Sequence, residues 1–204
     1  MSLFDQWTEG FLSKKEAEEV FAPYAQRLAS CWWGAWTRWK LQDTDFQVRM
    51  TPATRAGILQ NLAASFAREV FAGEEKVRID ETLGFFKIYI DDKAIVRLKR
   101  LGSNHLAARN RKSKRQRRYY QQLPIKGLVN GLTRITVGYI LNVTKTDTEE
   151  IAASFQIGDD LVYWFPIDAK AYGKISTPIP IEPIEPTGPT VRPANEKKKA
   201  ANDE

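Results

Sequence analysis

GFFKIYIDDKAIVRLKRL, residues 84–101, is the stretch that decides the fold. Two runs of branched and aromatic residues, GFFKIYI (84–90) and AIVRLKRL (94–101), flank Asp91-Asp92-Lys93. Such runs favour strands, and paired aspartates between them favour a turn, so the stretch reads as a β-hairpin. In the second run, period two places Arg97 and Lys99 on one face of the sheet and Val96 and Leu98 on the other. Arg97 and Lys99 are thus expected as an exposed cationic pair on one side of the sheet.

The same pattern extends outward. VRIDETL (77–83) precedes the hairpin. TRITVGYILNVT (133–144), IAASFQI (151–157) and LVYWFPI (161–167) follow it, with Gly158-Asp159-Asp160 as a turn between the last two. Upstream the period changes to that of a helix. Over residues 13–40, Val20, Tyr24, Leu28, Cys31, Ala35 and Trp39 recur at three and four, Trp32 and Trp36 widen the stripe, and Pro23 can interrupt it. A second helix opens at Thr51, an N-cap residue, and Pro52. It buries Ile58, Leu59, Leu62, Phe66 and Val70, and stops at Gly73.

The expected fold is thus α+β: N-terminal helices packed on a mostly antiparallel sheet of five or six strands. One domain spans 1–173, helical over 1–75, with a sheet over 76–173 that carries a basic insertion (102–124) between its third and fourth strands. PIPIEPIEPTGPTVRP and KKKAANDE predict a disordered, proline-rich and charged tail over 174–204.

Charge is unevenly distributed along the 204 residues. From Lys93 to Thr146 there are fourteen Lys or Arg and no Asp or Glu, although the whole chain carries 31 basic and 25 acidic residues. The densest part is RNRKSKRQRRYY (109–120). Its Arg109, Arg111, Lys112, Lys114, Arg115, Arg117 and Arg118, with Arg97 and Lys99, suit contact with a polyanion or an acidic partner protein. Tyr119 and Tyr120 could stack on unpaired bases. Such contact would be independent of base sequence, because no groove-reading element is present. The plainer reading is a solvated charged arm.

Other chemistry is thinly represented. Asp80 with Asp91 and Lys93, in a D-x-K arrangement, superficially resembles a metal-dependent nuclease site that would hold Mg²⁺, with Glu81 as a further ligand. The alternative is that Asp91-Asp92-Lys93 is simply a turn. Cys31 and His105 are unique of their kind, and Cys31 lies on an apolar stripe, as a structural thiol does. One cysteine permits no internal disulfide, and no phosphate-binding loop, dinucleotide fingerprint or zinc spacing is present. No apolar run is long enough to span a membrane, and the tryptophans of CWWGAWTRWK (31–40) suit packing better than a membrane interface. The expectation is a cytoplasmic protein without a resident cofactor.

Three segments carry a family resemblance: MTPATRAGILQNL, AIVRLKRL followed by Gln121-Gln122-Leu123-Pro124, and TRITVGYILN. They resemble small bacterial proteins encoded beside a regulator with a helix-turn-helix and an ImmA/IrrE-like metallopeptidase domain, a pairing described as a toxin–antitoxin module of phage defence (the Rosmer type). The resemblance covers roughly residues 50–167. It implies a growth-inhibiting toxin whose partner is that antitoxin. The residues matching its motifs are Arg55, Arg97, Lys99, Arg134, Gly138, Tyr139 and Asn142.

Overall fold

In the computed structural model, which describes residues 9–82, 85–108 and 113–167, six strands form one sheet in the order of the chain. They are β1 (Val77–Asp80), β2 (Lys87–Ile90), β3 (Ala94–Leu98), β4 (Thr133–Leu141), β5 (Thr148–Ile157) and β6 (Asp160–Pro166). Every neighbouring pair is antiparallel except β3–β4, which is parallel. A parallel neighbour needs a crossover of a dozen or more residues. The basic insertion is that crossover: it leaves β3, passes over one face of the sheet and returns to start β4 alongside it.

The β2–β3 turn forms where the aspartates stand. Asp91 and Asp92 both take positive φ, 55° and 49°, and the Lys93 N–H donates to the Ile90 carbonyl at 3.0 Å. Positive φ at both central residues suits the right-handed twist of a tight hairpin.

Among the described residues three helices cover the first face, α1 (Lys14–Phe21), α2 (Ala25–Lys40) and α4 (Pro52–Val70), and a short α3 (Thr44–Arg49) connects α2 to α4. The stretch expected as one helix over 13–40 is two, divided by a 3₁₀ turn at Ala22–Tyr24 that contains Pro23. Ser13 caps α1 in a reciprocal box with Glu16, and Thr51 caps α4 by accepting from the Thr54 N–H. The alternate residues Val96, Leu98, Ile135, Val137, Ile151 and Phe155 face these helices. Trp32 and Trp36 meet the Tyr139 ring edge-on, at 4.9 and 5.5 Å between centroids. Cys31 is fully buried there, and burial pushes its thiol up to about 12, the state of an inert structural cysteine.

The second face is covered by the described residues of the crossover, 99–108 and 113–132, including α5 (Lys114–Tyr120). Tyr89, Ile95, Ile140 and Ala152 from the sheet pack there against Leu101, Ala107, Tyr119, Tyr120, Ile125 and Leu128. Strands β2, β3 and nearly all of β4 are therefore buried on both faces. Among the described residues no helix is long and apolar enough to cross a membrane. The proline-rich tail expected over 174–204 lies outside the described residues.

Candidate polyanion-binding surface

The basic segment divides along helical spacing. Ser113 caps α5 by accepting from the Gln116 N–H at 3.2 Å. Tyr119 and Tyr120 point inward and are buried, while Lys114, Arg117 and Arg118 point outward and are exposed. Arg115, one turn before Tyr119, is half-buried with its guanidinium 5.4 Å from the centre of the Phe85 ring. Tyr119 meets Phe85 and Tyr120 edge-on, at 6.0 and 5.5 Å. Burial holds the Tyr119 phenol well above its usual range, so it stays neutral. Neither tyrosine is presented to an unpaired base. They seat the helix, and the expected stacking role is corrected on that ground.

What α5 presents outward is charge on a helix that is itself seated on the sheet. Lys114, Arg117 and Arg118, with Gln121 and Leu123, line a shallow depression of about 500 Å³. The first turn of the helix holds no acidic residue, and no ion pair forms at Lys114, Arg117 or Arg118 among the described residues. The Arg118 Nε donates to the Pro124 carbonyl at 3.0 Å, which fixes that side chain against the loop after the helix. Arg109, Arg111 and Lys112 lie outside the described residues.

The β3 cations are not the exposed pair that period two suggests. Arg97 is only 8% exposed and lies between Phe85 and Tyr119, its guanidinium 4.4 and 4.9 Å from their centres. Lys99 is half-buried, and its Nζ donates to the Ala108 carbonyl at 3.2 Å. Period two identified their common face correctly. It carried no information about the crossover that covers that face.

Arg134, on β4, is buried beneath α5. Its Nη1 donates to the carbonyls of Arg118, Tyr119 and Leu123 at 3.2, 3.4 and 2.8 Å. It thus adds a second donor to the Arg118 and Tyr119 carbonyls, which also accept from the Leu123 and Gln122 N–H groups, and ties the helix end to Leu123. Gln122 joins the same junction: its amide Nε2 donates to the carbonyls of Arg134 and Gln156, and its Oε1 accepts from the Arg134 N–H at 3.1 Å. The Gln-Leu-Pro stretch after the tyrosines is therefore a clamp, a role that sequence reasoning did not assign.

The other motif residues are structural as well. Gly138 faces the crossover so closely that an added Cβ would lie 1.8 Å from the Lys99 carbonyl oxygen. Tyr139 is the ring between Trp32 and Trp36. The Asn142 Oδ1 accepts from the backbone of Thr146 and Asp147 and organises the β4–β5 connection. Arg55 sits half-buried in the first turns of α4.

The residues expected to hold Mg²⁺ are kept apart. Asp80 pairs with Lys87 at one end of the β1–β2 ladder, and Asp91 follows Ile90, the partner of Val77, at the other. Four strand residues separate the two ends, roughly 13 Å. Asp80 bonds Lys87 at 2.9 Å, and Asp91 is near Lys76 and Lys93 at 3.7 and 4.0 Å. The arrangement of Asp80, Asp91 and Lys93 as one site is corrected accordingly, and Glu81 instead pairs with Arg68. Cys31 and His105 are likewise on opposite faces of the sheet, His105 stacked on Trp164 at 3.7 Å.

The Asp80–Lys87 pair has a measurable consequence. Lys87 is fully buried, and its Nζ also donates to the Thr82 carbonyl and Oγ1, at 2.9 and 3.3 Å. Burial alone would raise the Asp80 carboxyl, but hydrogen bonds from Thr82 and Lys87 overcome it and hold the group at about 2. A carboxyl depressed in the folded state stabilises above its unfolded value and loses that contribution as pH falls through its folded one. Between pH 5 and 2 the wild type should lose about 2 kcal/mol more than Asp80→Asn. Urea unfolding across that range measures the difference, and parallel curves would contradict the pairing.

Comparisons with protein-family models, with curated proteins and with solved structures find no match.

Proposed function

We propose that the protein binds the phosphate backbone of nucleic acid, independently of base sequence, through the exposed cations of α5. The observation behind this reading is the division of the helix. Buried tyrosines and the Arg134 clamp fix it to the sheet, so Lys114, Arg117 and Arg118 are displayed outward along a basic depression. Cations carried on a seated helix lose less backbone freedom on meeting phosphate than those of a free arm do. Contacts of this kind position a ligand without reading it.

Fluorescence anisotropy with two single-stranded oligonucleotides of unrelated sequence, and with their duplexes, tests the proposal. Affinities within each form should agree within a few-fold. Replacing Lys114, Arg117 and Arg118 together by Gln should weaken all four. Absence of binding at low salt would end the nucleic-acid reading.

For the biological setting we propose the role that the resemblance implies, a growth-inhibiting toxin with an antitoxin partner, in which the same basic surface either acts or is docked. Induced alone in a bacterial host, the protein should slow growth, and the product of its neighbouring gene should restore it. Unchanged growth at high expression would count against the toxin role and leave the binding proposal standing.

A further inference from the structure

We propose that Arg97 is the seat of a compact oxyanion, a phosphate group, separate from the exposed cations of α5. Among the described residues three cations are buried on the second face of the sheet, and two have their acceptors. Lys87 has Asp80 and both oxygens of Thr82, and Arg134 has three carbonyls. Arg97 has neither a carboxylate nor a hydrogen-bond acceptor among the described residues, and its enclosed Nε has no partner. Two aromatic faces only partly offset the burial of a cation; an anion with hydrogen-bonding oxygens is the usual complement.

The surroundings fit phosphate better than a planar carboxylate. In the sheet register Arg97 stands beside Thr136, and Thr136 beside Ser154. The Ser154 Oγ is buried and also lacks a partner. Arg115 reaches the Phe85 ring that Arg97 touches. Guanidinium and hydroxyl donors on different elements suit a tetrahedral group with oxygens in several directions. Access does not require unfolding, because Arg97 keeps 8% exposure and the neighbouring Phe85 is only half-buried.

The test is thermal unfolding of the full chain in phosphate-free buffer, titrated with inorganic phosphate against chloride of equal ionic strength. Ligand that binds only the folded state raises Tm saturably. The wild type should show that rise beyond the chloride control. Arg97→Met should be at least as stable as wild type without phosphate, since an unpaired buried charge is removed, and should not respond to phosphate. Ser154→Ala should fold normally and need more phosphate for the same shift. If Arg97→Met does not fold, the Arg97 Nε–H resonance of the wild type decides: it should shift on adding phosphate. A wild type insensitive to phosphate beyond chloride, an Arg97→Met variant that responds equally, or an unmoved Nε–H resonance would overturn the proposal and leave an interior that holds only water.

A second arm distinguishes the source of the phosphate and rests on the nucleic-acid reading. A 5′-phosphorylated oligonucleotide that binds about tenfold tighter than its 5′-hydroxyl twin, with the difference lost in Arg97→Met, assigns the seat to a terminal phosphate. Equal binding of the two, with the response to inorganic phosphate intact, assigns it to the free ion. The Lys114, Arg117, Arg118 variant should lose backbone binding and keep the phosphate response, so the two proposals fail separately.

Discussion

Gly138→Ala should destabilise the protein by at least about 3 kcal/mol. The new methyl would lie 1.8 Å from the Lys99 carbonyl oxygen and 2.9 Å from Leu101 Cγ, so the backbone itself must move. That backbone is tied in place: the N–H groups of Lys99 and Leu101 donate to the carbonyls of Val137 and Tyr139, at 3.1 and 2.9 Å. Moving it also disturbs the start of the crossover. Gly57→Ala is the matched control, because nothing lies within 4 Å of its position and α4 is a helix there. That change should stabilise by about 0.5–1 kcal/mol. Urea unfolding of both variants checks the pair, and a Gly138→Ala cost no larger than a surface substitution would contradict the packing of the crossover on β4.

Tyr119→Ala should cost about 3–5 kcal/mol, the range for deleting a large buried ring. The ring lies between Arg97 and Arg134, meets Phe85 and Tyr120 edge-on, and holds the inner side of α5. Tyr119→Phe should cost about 1 kcal/mol or less, because the hydroxyl makes one long hydrogen bond, 3.4 Å to the Ile95 carbonyl. A base-stacking role predicts the reverse order of effects: lost single-strand binding in a protein of unchanged stability. Calorimetric unfolding together with single-strand binding separates the two.

The particular residues show what was legible in the sequence. The Asp91-Asp92 turn, the Thr51 cap and the two faces of β3 are local, governed by backbone conformation and period two, and each could be read directly. The parallel pairing of β3 with β4 could not, because it depends on where a 34-residue connection returns. The short helix α3 was missed since it buries no residue and so leaves no apolar stripe. Arg97 looked exposed because the segment that covers it comes later in the chain. The burial of the tyrosines did have a signal. Arg115 and Tyr119 are four apart on one side of a helix, and Lys114 and Arg118 four apart on another, so the run could have been divided by face instead of taken as a whole.

The salt dependence of binding tests most directly whether the exposed cations of α5 hold phosphate. Three cations that each neutralise one phosphate contribute a log–log slope of about −2.7 on duplex DNA and about −2.1 on single strands. Replacing Lys114, Arg117 and Arg118 by Gln should flatten the wild-type slope by those amounts and lower the unfolding midpoint only slightly, because all three side chains are exposed and the Arg118–Pro124 hydrogen bond is the one contact of theirs that is lost among the described residues. A slope that stays the same in the triple variant would contradict the account.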